Sequence, residues 1–280
     1  MRWDGFEVGN TTSGWVTGDG DGLALLLHGG PGMSDYTDLM APEVADALPG
    51  HRIARYQQRG VAPSTTDGPL TVEQLVADLI AVLDHLGGGP AVLVGHSWGG
   101  HLAMHAAVAH PDRIAGMVIV DSLGAVGDGG ASTMQPVIAS RISDDAIAEV
   151  LGLLERDDLS PAEAGSEQLR LVWPGYFADP ASAPPVPSVV FDLATNEAVM
   201  ADANRLLTAG VLAAALPELR VPSVHLIGRA SPIDPDANRA TAALCPDAVL
   251  IELETGHFPW IEQPGSLADA VRRLPAPAAP

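Results

Sequence analysis

The 280-residue chain has a single cysteine, Cys245, so no intrachain disulfide can form, and the redox compartment is left open. Basic residues are scarce. Against 35 Asp+Glu stand only 14 Lys+Arg, a net charge of −21, which argues against nucleic acid or an anionic membrane as partner because either would repel it. No purely apolar run approaches the roughly 18 residues a membrane span needs. The N-terminal MRWDGFEVGN lacks both an apolar stretch and a small-residue cleavage site, which argues against a secretory signal. No internal repeat is visible. What is present is apolar material, 47% of the residues, enough for the core of one large domain or two small ones. These features predict a soluble, acidic, cytoplasmic globular protein.

The apolar residues follow two periods. Leu23 to His28 (LALLLH) is a continuous run closed by Gly29-Gly30-Pro31-Gly32, and reads as a buried strand ending in a loop. His51 to Tyr56 reads as the next strand. From Thr71 the spacing turns helical: Val72, Leu75, Val76, Leu79, Ile80, Leu83 and Leu86 share one face. Thr71 with Gln74 forms a capping box, and Gly87 marks the stop. Ala91 to Val94 is then a strand, Gly99 to Ala109 a helix and Met117 to Val120 a strand. Strands and helices alternating at this spacing predict an α/β fold, a parallel sheet with helices on both faces.

After Asp121 the alternation breaks. Residues 122–200 hold helix-like stretches at Asp144 to Leu154 and Pro161 to Val172, joined by proline-rich links such as Ala183-Pro184-Pro185-Val186-Pro187. A structureless loop of that length is uncommon inside a compact domain, so the segment reads as an inserted helical subdomain between core halves 1–121 and 201–280. The α/β rhythm returns with a helix near Ala203 to Leu216, a strand at Val224 to Ile227 and a helix near Asp236 to Leu244. A strand at Ala248 to Leu253 and a helix near Ser266 to Arg273 precede a tail, PAPAAP, expected to fray.

Gly95-His96-Ser97-Trp98-Gly99 fits G-x-S-x-G, follows an apolar strand and opens a helix. A serine on such a sharp turn sits in a strained conformation, and glycines two residues away leave room for it. Ser97 is the candidate nucleophile. His28-Gly29-Gly30-Pro31-Gly32 follows an earlier strand, where glycine-rich backbone can aim N–H groups at a developing oxyanion; the N–H groups of Gly30 and Trp98 are the candidate pair. A phosphate cradle is the competing use, but no Lys or Ser/Thr follows in Walker spacing. Thr255-Gly256-His257-Phe258-Pro259 follows the last strand and offers His257 as general base. His101 and His105, spaced i, i+4, lack an evident third metal ligand and read as partly buried helix residues. No metal and no organic cofactor is required.

HGGPG at 28–32, YQQRG at 56–60, GHSWGG at 95–100 and GHFPWIEQP at 256–264 together resemble the α/β-hydrolase superfamily, and within it proline iminopeptidases and their esterase-like relatives. The resemblance implies an eight-stranded, mostly parallel sheet with a helical cap inserted after the sixth strand, which matches the break after Asp121. It also implies the chain order Ser, acid, His. In most members the acid lies in G-x-x-D-x-x-x-P after the seventh strand. Here the segment reads Gly228-Arg229-Ala230-Ser231-Pro232-Ile233-Asp234-Pro235, with Ser231 in the acid's place. A hydroxyl can orient a histidine but cannot stabilise imidazolium as a carboxylate does. Two replacements are open. Asp234 lies three residues on. Asp121 ends HPDRIAGMVIVD (110–121), a segment similar to one in haloalkane dehalogenases whose last residue is that family's catalytic acid. Asp121 is favoured over Asp234, with no working acid as the third possibility.

The expected chemistry is acyl transfer: Ser97 attacks an ester or amide carbonyl, and His257 takes its proton. Trp173, Tyr176 and Phe177 are candidates for an apolar wall over the reacting carbon, or for the cap's own core. Proline iminopeptidases use cap carboxylates to hold the substrate's free amine, and this cap offers Glu163, Glu167, Asp192 and Glu197, which a solvated acidic face explains equally well. The substrate is expected to be a small molecule or short peptide, with small esters, lactones, thioesters and a biosynthetic-pathway intermediate all open. A non-catalytic, receptor-like ligand binder is the alternative, favoured only by the substituted acid position.

Overall fold

Strands β1 (Asp4–Val8) and β2 (Thr12–Thr17) form an antiparallel hairpin at one edge of the sheet. Most of β1 is solvent-exposed, so it carries no apolar run, and the residue pattern alone did not single it out. Inward of the hairpin come β3 (Gly22–Leu27), β4 (His51–Tyr56), β5 (Ala91–His96), β6 (Ile114–Val120), β7 (Ser223–Gly228) and β8 (Val249–Leu253). The computed structural model describes residues 1–153 and 156–274; Leu154, the last residue expected of a cap helix, and the PAPAAP tail lie outside them.

The eight strands make one sheet in the order β1-β2-β4-β3-β5-β6-β7-β8, antiparallel through β2–β4 and parallel from β4 to β8. Alternation along the buried strands feeds two cores. Leu25, Leu27 and Leu93 face one side, with α2 (Val72–His85) and α3 (Trp98–Ala109). Leu26, Val94, Val118 and Leu226 face the other, with α1 (Ala41–Ala47) and the C-terminal Leu267 and Val271. Thr71 caps α2 by accepting from the Gln74 N–H at 3.2 Å, but the Gln74 side chain turns instead to Asp78. The capping box is therefore only half formed.

Between β6 and β7 run α4 (Met134–Ala139), α5 (Asp144–Leu153), α6 (Pro161–Val172), α7 (Leu193–Thr208) and α8 (Val211–Ala215). Ser160 and Glu163 cap α6 reciprocally. The helix expected near Ala203 starts ten residues earlier, because the Asp192 carboxylate accepts from the Thr195 N–H at 2.7 Å and caps α7. It also ends earlier, where Gly210 at φ +66° divides α7 from α8. The boundary expected at 200 thus falls inside α7. After β7 come α9 (Pro235–Leu244), and after β8 α10 (Pro259–Glu262) and α11 (Ser266–Val271). Among the described residues no single helix is long and apolar enough to cross a membrane.

Candidate active site

The turn from β5 into α3 forces Ser97 to φ 55°, ψ −125°, a conformation L-residues rarely adopt. Its glycines are dictated sterically. A Cβ on Gly95 would lie 2.3 Å from the Gly99 carbonyl oxygen, and one on Gly99 would lie 2.2 Å from that of Leu27. Ser97 N–H donates to Val120 C=O at 2.8 Å, which fixes the turn against the end of β6.

Asp121 follows directly from that strand end, also at positive φ (44°), and is fully buried. Its position follows from register. Val120 pairs with Leu226, and Asp121 N–H donates to Leu226 C=O, so its carboxylate faces the end of β7. There Oδ1 accepts from Gly228 N–H at 3.0 Å, while Oδ2 accepts from Ser231 Oγ and from His257 Nδ1, each at 2.5 Å. A carboxylate can only accept in this setting, so the Nδ1 of His257 carries the hydrogen and the Nε2 of a neutral ring is left with its lone pair. Asp234, the other candidate acid, instead caps α9 by accepting from Asp236 N–H at 2.9 Å.

Ser97 and His257 line one cavity of about 790 Å³, together with Gly30 and Trp98. Among the described residues neither the Gly30 nor the Trp98 backbone N–H has a hydrogen-bond partner. Gly30 requires its own φ of +55°, and a Cβ there would lie 2.4 Å from the Met33 sulfur. Trp173 and Tyr176 line the cavity as well. Phe177 does not: it is fully buried behind them, stacked on Phe258 at 5.6 Å, so the expected wall has two of its three members. Burial raises the Tyr176 phenol to about 12, keeping it protonated.

The lining is mostly apolar, drawn from Met134, Ile138, Val150 and Leu169 among others, and among the described residues it contains no carboxylate. The four candidate amine ligands are elsewhere. Glu163 is held by Ser160 and Glu167 by Arg170, and both border a separate cleft of about 580 Å³. Asp192 caps α7, and Glu197 is exposed. His101 and His105 are not partly but deeply buried; burial lowers them to about 4 and about 3, so both rings are neutral. Among the described residues no cluster of three or more His, Cys, Asp or Glu is arranged to hold a metal.

Three site residues were given no role by the sequence reading. Gln58 of the YQQRG segment donates to His28 C=O at 2.9 Å and accepts from Trp98 Nε1 at 2.9 Å, tying the glycine loop to the elbow. Tyr36 and His96 also line the cavity. The quoted YQQRG motif was the available pointer to Gln58; Tyr36 stands in no motif.

A family model described as alpha/beta hydrolase fold matches residues 24–264. The lipase LipV of Mycobacterium tuberculosis is 38% identical over 132 residues, 46% of this chain and 44% of LipV. Epoxide hydrolase B of the same organism is 37% identical over 99 residues, 34% of this chain and 27% of that enzyme. The aligned part thus spans less than half of either relative. The crystal structure of an enol-lactonase from Burkholderia xenovorans superposes with a TM-score of 0.62 at 22% identity, over 96% of this chain and 98% of the other, a likeness of fold alone.

Proposed function

The chain belongs to the α/β-hydrolase fold family, and on that premise we propose that it is a serine hydrolase of uncharged, mainly apolar esters. The observation that carries this reading is the His257–Asp121 hydrogen bond, in a cavity that Ser97 also lines. His257 Nε2 takes the Ser97 hydroxyl proton as Oγ attacks the carbonyl carbon, and Asp121 stabilises the resulting imidazolium. The N–H groups of Gly30 and Trp98 receive the oxyanion of the tetrahedral intermediate. Collapse expels the alcohol, protonated by His257. A water then adds with His257 again as base, releasing the acid and regenerating Ser97. The segment from α4 to α7 acts as the cap that gives the acyl or alkyl group its apolar surroundings.

The uncharged lining bears on the substrate. A free amine entering an apolar cavity loses hydration that only a paired carboxylate restores, and the described lining residues offer none. That favours esters, lactones or thioesters over an N-terminal peptide amine, and so over iminopeptidase activity. The receptor-like reading rested on Ser231 in the acid's place, and loses that support because Asp121 is hydrogen-bonded to His257. The test is a paired assay with Ser97→Ala as blank. Ser97-dependent release from p-nitrophenyl butyrate with none from proline p-nitroanilide is expected. Anilide release would return the assignment to an iminopeptidase, and no Ser97 adduct with a fluorophosphonate probe would count for a binder.

A further inference from the structure

We infer that Tyr36 and His96 form an uncharged positioning relay that aligns the oxyanion loop, the nucleophile turn and the loop bearing His257; this rests on the serine-hydrolase reading above. Three hydrogen bonds define it. Gly29 N–H donates to the Tyr36 hydroxyl oxygen at 2.8 Å, Tyr36 Oη lies 2.6 Å from His96 Nδ1, and His96 Nε2 lies 2.8 Å from the His257 carbonyl oxygen.

The proton positions follow from donor and acceptor chemistry. A carbonyl only accepts, so His96 Nε2 carries the hydrogen and Nδ1 of the neutral ring is bare. Nδ1 must then accept, so the Tyr36 hydroxyl donates to it, and the phenol oxygen is free to accept from Gly29. One arrangement satisfies every group. The ring is kept neutral by burial, which lowers His96 well below the usual histidine range, with the nearby His257 adding to the shift. Tyr36 is likewise buried and its phenol raised, so it stays a donor.

Each end of the relay meets a group the reaction uses. Gly29 immediately precedes Gly30, and a Cβ on Gly29 would lie 2.5 Å from Tyr36 Oη and 2.7 Å from Ser97 Cβ, so the loop is held close by glycine alone. His96 immediately precedes Ser97. At the other end the His257 backbone is held twice, since its N–H donates to Tyr176 C=O at 2.8 Å while its C=O accepts from His96. Phe258 and Trp260 pack on the His96 ring at 4.9 and 4.7 Å and leave it little room to turn. Neither Tyr36 nor His96 exchanges a proton with substrate. Their effect is to hold donors, nucleophile and base in one geometry, where a shift of about 1 Å costs about 100-fold in rate.

Tyr36→Phe keeps the ring and deletes the central oxygen, leaving Gly29 N–H and His96 Nδ1 without partners. We expect kcat on p-nitrophenyl butyrate to fall about 10- to 100-fold with KM changed less than about threefold, while a fluorophosphonate still modifies Ser97 to completion. His96→Gln, which keeps a donor toward His257 C=O, should retain several-fold more turnover than His96→Leu at matched folded fraction. Nitrogen-15 NMR of histidine-labelled protein should find His96 protonated at Nε2, with an Nδ1 resonance that moves in Tyr36→Phe. Wild-type kcat in Tyr36→Phe, or loss only in proportion to unfolded protein, would overturn the relay, as would an Nδ1-protonated His96. Failure of Ser97 to label in the wild-type chain would instead sink the hydrolase reading, and the NMR result would still judge the relay.

Discussion

Ser231 donates its hydroxyl hydrogen at 2.5 Å to Oδ2 of Asp121, the same oxygen that accepts from His257. Ser231 also accepts from Ile233 N–H at 3.1 Å, so its hydroxyl is held with its hydrogen toward the carboxylate. The residue in the usual acid's place thus supports a carboxylate supplied from the neighbouring strand. With Gly228 N–H the carboxylate has three donors in a fully buried position.

Asp121→Asn should lower kcat/KM for p-nitrophenyl butyrate by about 10⁴, because the amide holds His257 in the wrong tautomer and cannot stabilise imidazolium. Asp234→Asn should leave turnover within about twofold, since asparagine caps a helix as well as aspartate does. The reverse ranking would assign the acid to Asp234.

Ser231→Asp restores the sequence pattern of most relatives and should nonetheless impair the protein. A second carboxylate would meet Asp121 in a buried pocket, and like charges at that separation cannot both ionise. Activity should fall at least tenfold at pH 7 and partly recover in the double variant Ser231→Asp/Asp121→Asn. Unimpaired turnover in the single variant would show that the pocket accepts either acid.

Stability should fall on acidification below about pH 6.5. Burial lowers His101 and His225 to about 4 and His105 to about 3, so these rings stay neutral in the native state while the unfolded chain protonates its histidines. The unfolded state therefore binds more protons between about pH 6.5 and 4. Stability is fully present above that window and is lost within it by about 1.4 kcal/mol per ring per pH unit. Neither ring nitrogen of His225 has a hydrogen-bond partner among the described residues, so His225→Leu should not destabilise at pH 7.5 and should flatten the acid slope by one ring's worth. Urea midpoints from pH 7.5 to 4.5 check this; an unchanged slope would remove His225 from the account.

Gly95→Ala should destabilise by about 2–3 kcal/mol and abolish most turnover, because its Cβ meets backbone rather than a flexible side chain. Gly89, where a Cβ meets nothing within 4 Å, is the control: Gly89→Ala should leave melting temperature and turnover unchanged.

The parts of the site that were legible in the sequence are those set by a few adjacent residues. The G-x-S-x-G turn reads correctly as strand, strained residue, helix, because the clash that demands Gly95 involves Gly99 and Gly100 within the turn; the clash that demands Gly99 involves Leu27 on β3 and was not legible. The helix caps were read less well. Gln74 had a competing partner in Asp78, and Asp192 started a helix where the sequence reading left an amine ligand or a solvated acid equally open. Aromatic wall and cap core were also indistinguishable in sequence: Trp173 and Tyr176 lie on one 3₁₀ turn and line the cavity, whereas Phe177, the extended residue just after it, is buried away from the cavity.

The sequence by itself determined the α/β layering, through apolar period, and the local geometry of Ser97, through glycine placement. Tertiary structure alone decided which carboxylate meets His257, 136 residues from Asp121, and what Ser231 does instead. It also decided that Tyr36 reaches His96 across 60 residues, and that His96 reaches His257 across 161. The reason is physical. Steric demands of a turn are written within a few residues, whereas hydrogen bonds between strand ends depend on strand order and register, which the whole sheet sets at once.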